Sequence, residues 1–216
     1  MAKRVAVKIC GVADGTGVDA VVDAGADFIG VVFFEKSPRY VDFGRAAELL
    51  EFVPRKIARV GLFVDPSDAL LDRAMNHVRL DYLQLHGHET PERVEAIRLE
   101  FGLPVIKAVG VSGPADIDAA RTYAEIADRL LFDAKPPADA TRPGGNALAF
   151  DWTLLKGLKL PCPWFLAGGL TPDNVAEAIA LSGAKAVDVS SGVESSPGVK
   201  DPALVARFVK AAKGGI

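Results

Sequence analysis

Cysteine is scarce in this sequence. Cys10 and Cys162 are too few for a disulfide framework, and neither has a neighbour at zinc-ligand spacing. Two free thiols and no metal site are expected. Surplus positive charge is also missing: the net charge is −3 and the basic residues are scattered, so no face is expected to hold a polyanion and nucleic acid is not an expected partner. Long apolar runs are absent as well. Lys3 and Arg4 precede a short apolar stretch that Lys8 already interrupts, too short and too charged for an export signal or a membrane span. A cytoplasmic location with no membrane partner is therefore expected. No linker, internal repeat or low-complexity tract divides the chain, so residues 1–216 are read as one domain.

What the chain does have is a rhythm. Half of its residues are apolar and a quarter charged, the usage of ordinary globular proteins. Short runs rich in Val, Ile, Leu and Phe recur at Val5–Cys10, Phe28–Phe33, Ala58–Val64, Tyr82–His86, Pro104–Val109, Leu130–Asp133, Trp164–Ala167 and Ala186–Ser190. Longer amphipathic stretches separate them, opened by helix-start chemistry at Ser67, Thr90–Pro91–Glu92, Gly113–Pro114, Thr171–Pro172–Asp173 and Asp201–Pro202. Near-continuous apolar strands alternating with helices predict a parallel sheet covered by helices. Eight such units, seven crossovers and a final helix, favour closure into a (β/α)₈ TIM barrel. A doubly wound open sheet is the alternative, but it calls for a G-x-G-x-x-G turn after the first strand, where this chain reads Lys8-Ile9-Cys10-Gly11. The Pro- and Gly-rich stretch from Lys135 to Gly145 is read as one long loop.

In such barrels chemistry sits at the C-terminal ends of strands. Polar residues gather there: Cys10, Arg39, His86, Asp133, the Gly168-Gly169 pair, and Asp188 followed by Ser190-Ser191-Gly192. Strand alternation puts Lys8 on the same face as Cys10, where an ammonium favours the thiolate, although most cysteines are merely buried. Asp133 follows apolar residues, where desolvation raises a carboxyl's pKa, unless Lys135 on the same face pairs with it and lowers the pKa instead. The glycines after strands seven and eight let backbone amides approach a ligand, and barrels often bind phosphate at that place.

The blocks Lys8-Ile9-Cys10-Gly11, Ser37-Pro38-Arg39-Tyr40-Val41, Val60-Gly61-Leu62-Phe63-Val64, Leu83-Gln84-Leu85-His86-Gly87, Phe150-Asp151-Trp152, Leu166-Ala167-Gly168-Gly169-Leu170 and Asp188-Val189-Ser190-Ser191-Gly192-Val193-Glu194 run in order from first strand to last. Together they resemble phosphoribosylanthranilate isomerase. The resemblance implies an Amadori rearrangement of a phosphorylated aminoaldose in tryptophan biosynthesis, carried out without a cofactor by a monomer or homodimer. It implies Asp133 as general acid and Cys10 as general base, with Arg39 on the anthranilate carboxylate. His86 is placed near the anthranilate and Asp188 near the sugar hydroxyls, while Gly168, Gly169, Ser191 and Gly192 are implied at the phosphate.

Two stretches depart from the family pattern: Gly144-Gly145-Asn146-Ala147 stands where Gly-Gly-Thr-Gly is common, and Ala13 replaces a frequent threonine. Two other functions compete with the isomerase. Lys107 at the end of the fifth strand, or Lys8, invites a Schiff-base aldolase; a non-catalytic phosphate-binding barrel would keep the glycine loops but would not need both Cys10 and Asp133.

Overall fold

Strand and helix alternate because apolar runs too short for a helix are each followed by a polar cap that stops the strand and starts a helix. The structure, a computed structural model, describes residues 5–135 and 149–214. Its strands are β1 (Ala6–Cys10), β2 (Phe28–Val32), β3 (Ala58–Phe63), β4 (Tyr82–Leu85), β5 (Val105–Val111), β6 (Arg129–Ala134), β7 (Trp164–Leu166) and β8 (Ala186–Val189). They pair in parallel in sequence order, and β1 joins β8 to close the barrel. The helices are α1 (Gly15–Asp23), α2 (Phe43–Glu51), α3 (Asp68–His77), α4 (Pro91–Phe101), α5 (Pro114–Ala124), α6 (Val175–Ser182) and α7 (Pro202–Ala212).

The expected caps hold at Ser67, Thr90 and Asp201, whose side chains accept from backbone amides of the first turn. Asp14 and Asp42 do the same for α1 and α2. Two expectations need correction, and one element is new. The sixth crossover, as far as it is described, carries a 3₁₀ turn at Trp152–Leu155 in place of an α-helix. The helix expected from Thr171 starts at Val175, because Asn174 Oδ1 accepts from Thr171 N and closes a turn first. A short hairpin of β9 (Glu194–Ser196) and β10 (Val199–Lys200), turning at Pro197-Gly198, was not foreseen. Most of the loop from Lys135 to Gly145, and all of Gly144–Ala147, lies outside the described residues.

Side-chain alternation sorts the strands into two cores. Residues such as Val7, Ile9, Ile29, Leu83 and Val187 point outward and are buried under the helices. Phe28, Val60, Ile106, Leu131, Phe165 and Ala186 fill the barrel interior. At its N-terminal end the Arg129 guanidinium lies 5.7 Å from the Phe28 and Phe165 ring centres and 5.8 Å from that of Tyr82. Phe28 meets both other rings edge-on. Three aromatic rings thus stabilise one cation and seal the end opposite the polar mouth.

Replacing Arg129 by Met keeps the bulk but removes the charge from those rings. We expect it to lower unfolding free energy by about 1–2 kcal/mol with kcat and KM unchanged, read by urea denaturation and steady-state kinetics. An unchanged unfolding midpoint would refute the role.

Candidate active site

Lys8 and Cys10 both project into the barrel from β1, and Asp188 projects beside them from β8, where it is the register partner of Lys8. The Lys8 ammonium, fully buried, donates to Asp188 Oδ1 at 2.9 Å. Burial pushes the lysine's pKa down, but Asp188 and the Cys10 sulfur more than offset this and hold it above the ordinary lysine range. Cys10 is 4 % exposed. A Cβ on Gly30 of β2 would stand 3.0 Å from Cys10 Sγ and 3.3 Å from Lys8 Nζ, so a glycine there leaves room for both groups.

Lys8 draws the Cys10 thiol toward ionisation as expected, but not far enough to offset burial. Burial raises the thiol's pKa, Lys8 pulls it down, Asp188 pushes it up again, and the net result lies above the ordinary thiol value. Lys8 does favour the thiolate, as local reasoning says, but desolvation is the larger effect.

Across the mouth, Asp133 of β6 is 9 % exposed. Its Oδ1 accepts from Ala134 N at 2.9 Å, and its Oδ2 lies 3.3 Å from His86 Nε2. His86, just beyond β4, has Gln84 Nε2 at 3.0 Å from its Nδ1, so a side chain one inward step down the same strand fixes the imidazole from behind. Lys135 does not pair with Asp133; its ammonium reaches Asp116 Oδ1 at 3.4 Å. The carboxyl is thereby left to face the mouth and the histidine.

Arg39 sits in the loop after β2, 4 % exposed. Gly11, with φ +73°, packs under its side chain, where any Cβ would collide with Arg39 Cδ. Its Nε and Nη2 grip Glu194 at 2.7 and 2.8 Å in a bidentate pair. One edge of the guanidinium is therefore committed to the protein, and a second carboxylate would have to take the Nη1–Nη2 edge. Glu194 also accepts from Lys200 Nζ at 2.7 Å, and Lys200 donates to the Ser190 carbonyl at 3.0 Å. Burial raises the Glu194 carboxyl, but the contacts from Arg39 and Lys200 outweigh this and hold it below the ordinary glutamate range.

The glycine loops converge as expected. Gly168 and Gly169 have φ of +83° and +64°, conformations that side chains resist. A Cβ on Gly168 would stand 2.6 Å from Ala134 N and 3.2 Å from Asp133 Oδ1, which places the seventh loop directly against Asp133. Ser191 and Gly192 form a 3₁₀ turn after β8, and Gly192 lies so close to the Leu170 carbonyl that a side chain cannot fit. Loops seven and eight thus make one contiguous backbone surface beside Asp133 and Asp188.

Lys107, the lysine that invited an aldolase, points the other way. It is buried on the outer side of β5, donating to Glu89 Oε2 at 2.6 Å and to the Gly87 carbonyl at 2.8 Å. Lys8 is an ammonium held by Asp188, and a Schiff base requires a free amine. Neither lysine is placed for that chemistry. Among the described residues no group of three or more His, Cys, Asp or Glu side chains could hold a metal ion, and no helix is long and apolar enough to cross a membrane.

The chain as a whole matches a known family. The family model for N-(5'-phosphoribosyl)anthranilate (PRA) isomerase matches residues 7–211. The chain belongs to the phosphoribosylanthranilate isomerase family. It is 63 % identical over 211 residues to the N-(5'-phosphoribosyl)anthranilate isomerase of Paramagnetospirillum magneticum, covering 98 % of both chains. Identity to that of Rhodospirillum rubrum is 62 % over 213 residues, 97 % of this chain and 98 % of the relative. Among solved structures, phosphoribosylanthranilate isomerase from Thermotoga maritima superposes with a TM-score of 0.87 at 38 % identity, over 97 % of this chain and 99 % of its own. Another isomerase structure, 37 % identical with a TM-score of 0.82 over the same shares, is a complex with reduced 1-(o-carboxyphenylamino)-1-deoxyribulose 5-phosphate.

Reading the sequence missed Gln84, Glu194 and Lys200 as parts of the isomerase mouth. Glu194 and Arg39 are 155 residues apart, and nothing local links them. The one available signal was Pro197-Gly198 followed by Val199-Lys200, a turn that returns a lysine toward Glu194.

Lys8→Met should strand Asp188 as a buried, unpaired carboxylate, a change that typically costs about 3–5 kcal/mol. The double variant Lys8→Met/Asp188→Leu should recover much of that loss. Equal stability of the single variant and the parent in urea would contradict the pairing.

Proposed function

We propose that this barrel converts N-(5-phosphoribosyl)anthranilate into 1-(2-carboxyphenylamino)-1-deoxyribulose 5-phosphate, the isomerisation step of tryptophan biosynthesis, with Asp133 as acid and Cys10 as base. The observation that carries the assignment is the placement of a buried thiol and a carboxyl at the C-terminal ends of β1 and β6, both directed into one mouth. The substrate's own nitrogen is the electron sink, so the chain has to supply only proton transfers and positioning.

The steps balance as follows. The Asp133 carboxyl gives its proton to the furanose ring oxygen while the bond from C1 to that oxygen breaks and the anilino nitrogen lone pair forms C1=N⁺. The Cys10 thiolate then takes the proton from C2; the C–H electrons become C1=C2, and the nitrogen regains its pair as an enolamine. Loss of the C2 hydroxyl proton and protonation at C1 give the ketose. His86 beside Asp133 is assigned to orient the acid and the anthranilate, and Asp188 to accept from the sugar hydroxyls. Arg39, preset by Glu194, offers its outer edge to the anthranilate carboxylate. Backbone amides of Gly168, Gly169, Ser191 and Gly192 are assigned to the phosphate.

Cys10→Ser and Asp133→Asn are each expected to lower kcat by about 10²–10⁴-fold while circular dichroism stays that of the parent. Near-parental turnover by either folded variant removes its assigned role. Cys10 must be ionised and Asp133 protonated, so kcat/KM should fall toward both low and high pH, and because burial raises the Cys10 pKa the break that belongs to the thiol lies in the alkaline range. A kcat/KM with no break in the alkaline range would contradict a buried thiol as the base. Arg39→Ala should raise KM more than it lowers kcat, since a carboxylate contact is made in ground and transition states alike. Unchanged KM with a collapsed kcat would contradict a binding role.

A further inference from the structure

His86 is held through its backbone and at both nitrogens of its ring. Its amide donates to the Phe63 carbonyl at 2.8 Å. Gly87, the next residue, is clamped at both polar groups: its N–H donates to the Glu89 carboxylate oxygens at 3.1 and 3.0 Å, and its carbonyl accepts from the Lys107 ammonium at 2.8 Å. Glu89 and Lys107 are buried and paired with each other at 2.6 Å, so the chain that carries the imidazole is fixed. At the ring, fully buried Gln84 of β4 sets its Nε2 3.0 Å from Nδ1, and Asp133 Oδ2 lies 3.3 Å from the ring's Nε2. An amide nitrogen only donates, so Nδ1 has to accept and carries no proton. The ring proton is then on Nε2 and directed at Asp133.

We propose that Gln84 is a positioning residue for the acid: by donating to Nδ1 it holds His86 as the Nε2–H tautomer, which keeps the Asp133 proton for the ring oxygen of the substrate. A protonated Asp133 beside a bare Nε2 would give its hydrogen to the imidazole, as a hydrogen bond or outright as a carboxylate and an imidazolium. With Nε2 already carrying a hydrogen, and Nδ1 unable to take one while Gln84 donates there, His86 offers that hydrogen no acceptor. The proton passes from Asp133 to the substrate's ring oxygen, and His86 neither gains nor loses one. Oδ1 of the carboxylate left behind still accepts from Ala134 N, and the His86 Nε2–H is placed to donate to Oδ2, where charge develops as the proton leaves.

The proposal rests on Asp133 being the acid, but its first test needs no turnover. Nitrogen-15 spectra of the imidazoles distinguish a bare ring nitrogen from a protonated one, and the chain has only three histidines. His77, whose Nδ1 lies 2.7 Å from the Arg73 carbonyl, has to donate from Nδ1 and serves as the reference for the opposite state. With signals assigned by their loss in His86→Gln, His86 of the parent should show a bare Nδ1 and a protonated Nε2; a protonated Nδ1 overturns the proposal. Gln84→Glu puts an acceptor where the donor was, so Nδ1 should become protonated and kcat should fall by about 10²-fold, with KM changed less. Gln84→Met, which removes the donor, should also lower kcat. A merely structural glutamine would cost stability in both variants without protonating Nδ1. A bare Nδ1 in Gln84→Glu, or a folded Gln84→Met with parental kcat beside an inactive Asp133→Asn, overturns the proposal. If Gln84→Glu does not fold, the parent spectrum and Gln84→Met decide. If Asp133→Asn is as active as Gln84→Met and the parent, it is the acid assignment that falls.

Discussion

A charge placed inside a parallel barrel must be matched there, because the walls exclude the water that would otherwise solvate it. Lys8 is the test of that rule in this molecule: a lysine with no exposure, on a strand whose neighbours are apolar, held by Asp188 of the adjoining strand. The closing pair of the barrel, β1 with β8, is thus also the pair that carries this ion bridge. Placing Cys10 at the end of β1 makes the thiol a third party to it. Everything at the mouth follows from how the remaining charges are arranged about that neutral pair.

The rest of the mouth is built by close backbone approach. Gly11 leaves room for Arg39, Gly30 for Cys10 and Lys8, Gly168 for Asp133, and Gly192 for the seventh loop. A methyl group at any of these positions would push a functional side chain or a loop outward. The opposite end of the barrel is sealed by Arg129 among aromatic rings, so the protein is closed where stability is needed and polar where a ligand enters.

The strands were legible because each is a short apolar run between turn residues, and most helices because a single side chain caps them. Cys10, Arg39, His86, Asp133 and Asp188 were legible as residues at strand ends, and the structure brings them to one mouth. The partnerships were not. Arg39 with Glu194, or Lys8 with Asp188, join residues 155 and 180 positions apart, and only barrel closure makes them neighbours. The net direction of the Cys10 shift was not legible for a related reason: the sequence shows the ammonium two residues away but not the depth of burial that outweighs it. The delayed start of α6 depends on one Asn174 hydrogen bond that competes with a nearby proline-opened turn.

The account's central claim is that Cys10 and Asp133 flank one substrate whose ends are held by Arg39 and by loops seven and eight. A crystal structure of this chain with the reduced product analogue tests it directly. The account predicts the carboxylate on the outer edge of Arg39, the phosphate on the amides of Gly168, Gly169, Ser191 and Gly192, the Cys10 sulfur in contact with C2, and Asp133 within hydrogen-bond reach of the oxygen released by ring opening. An analogue bound with its phosphate away from those loops, or with C2 out of reach of Cys10, would contradict it.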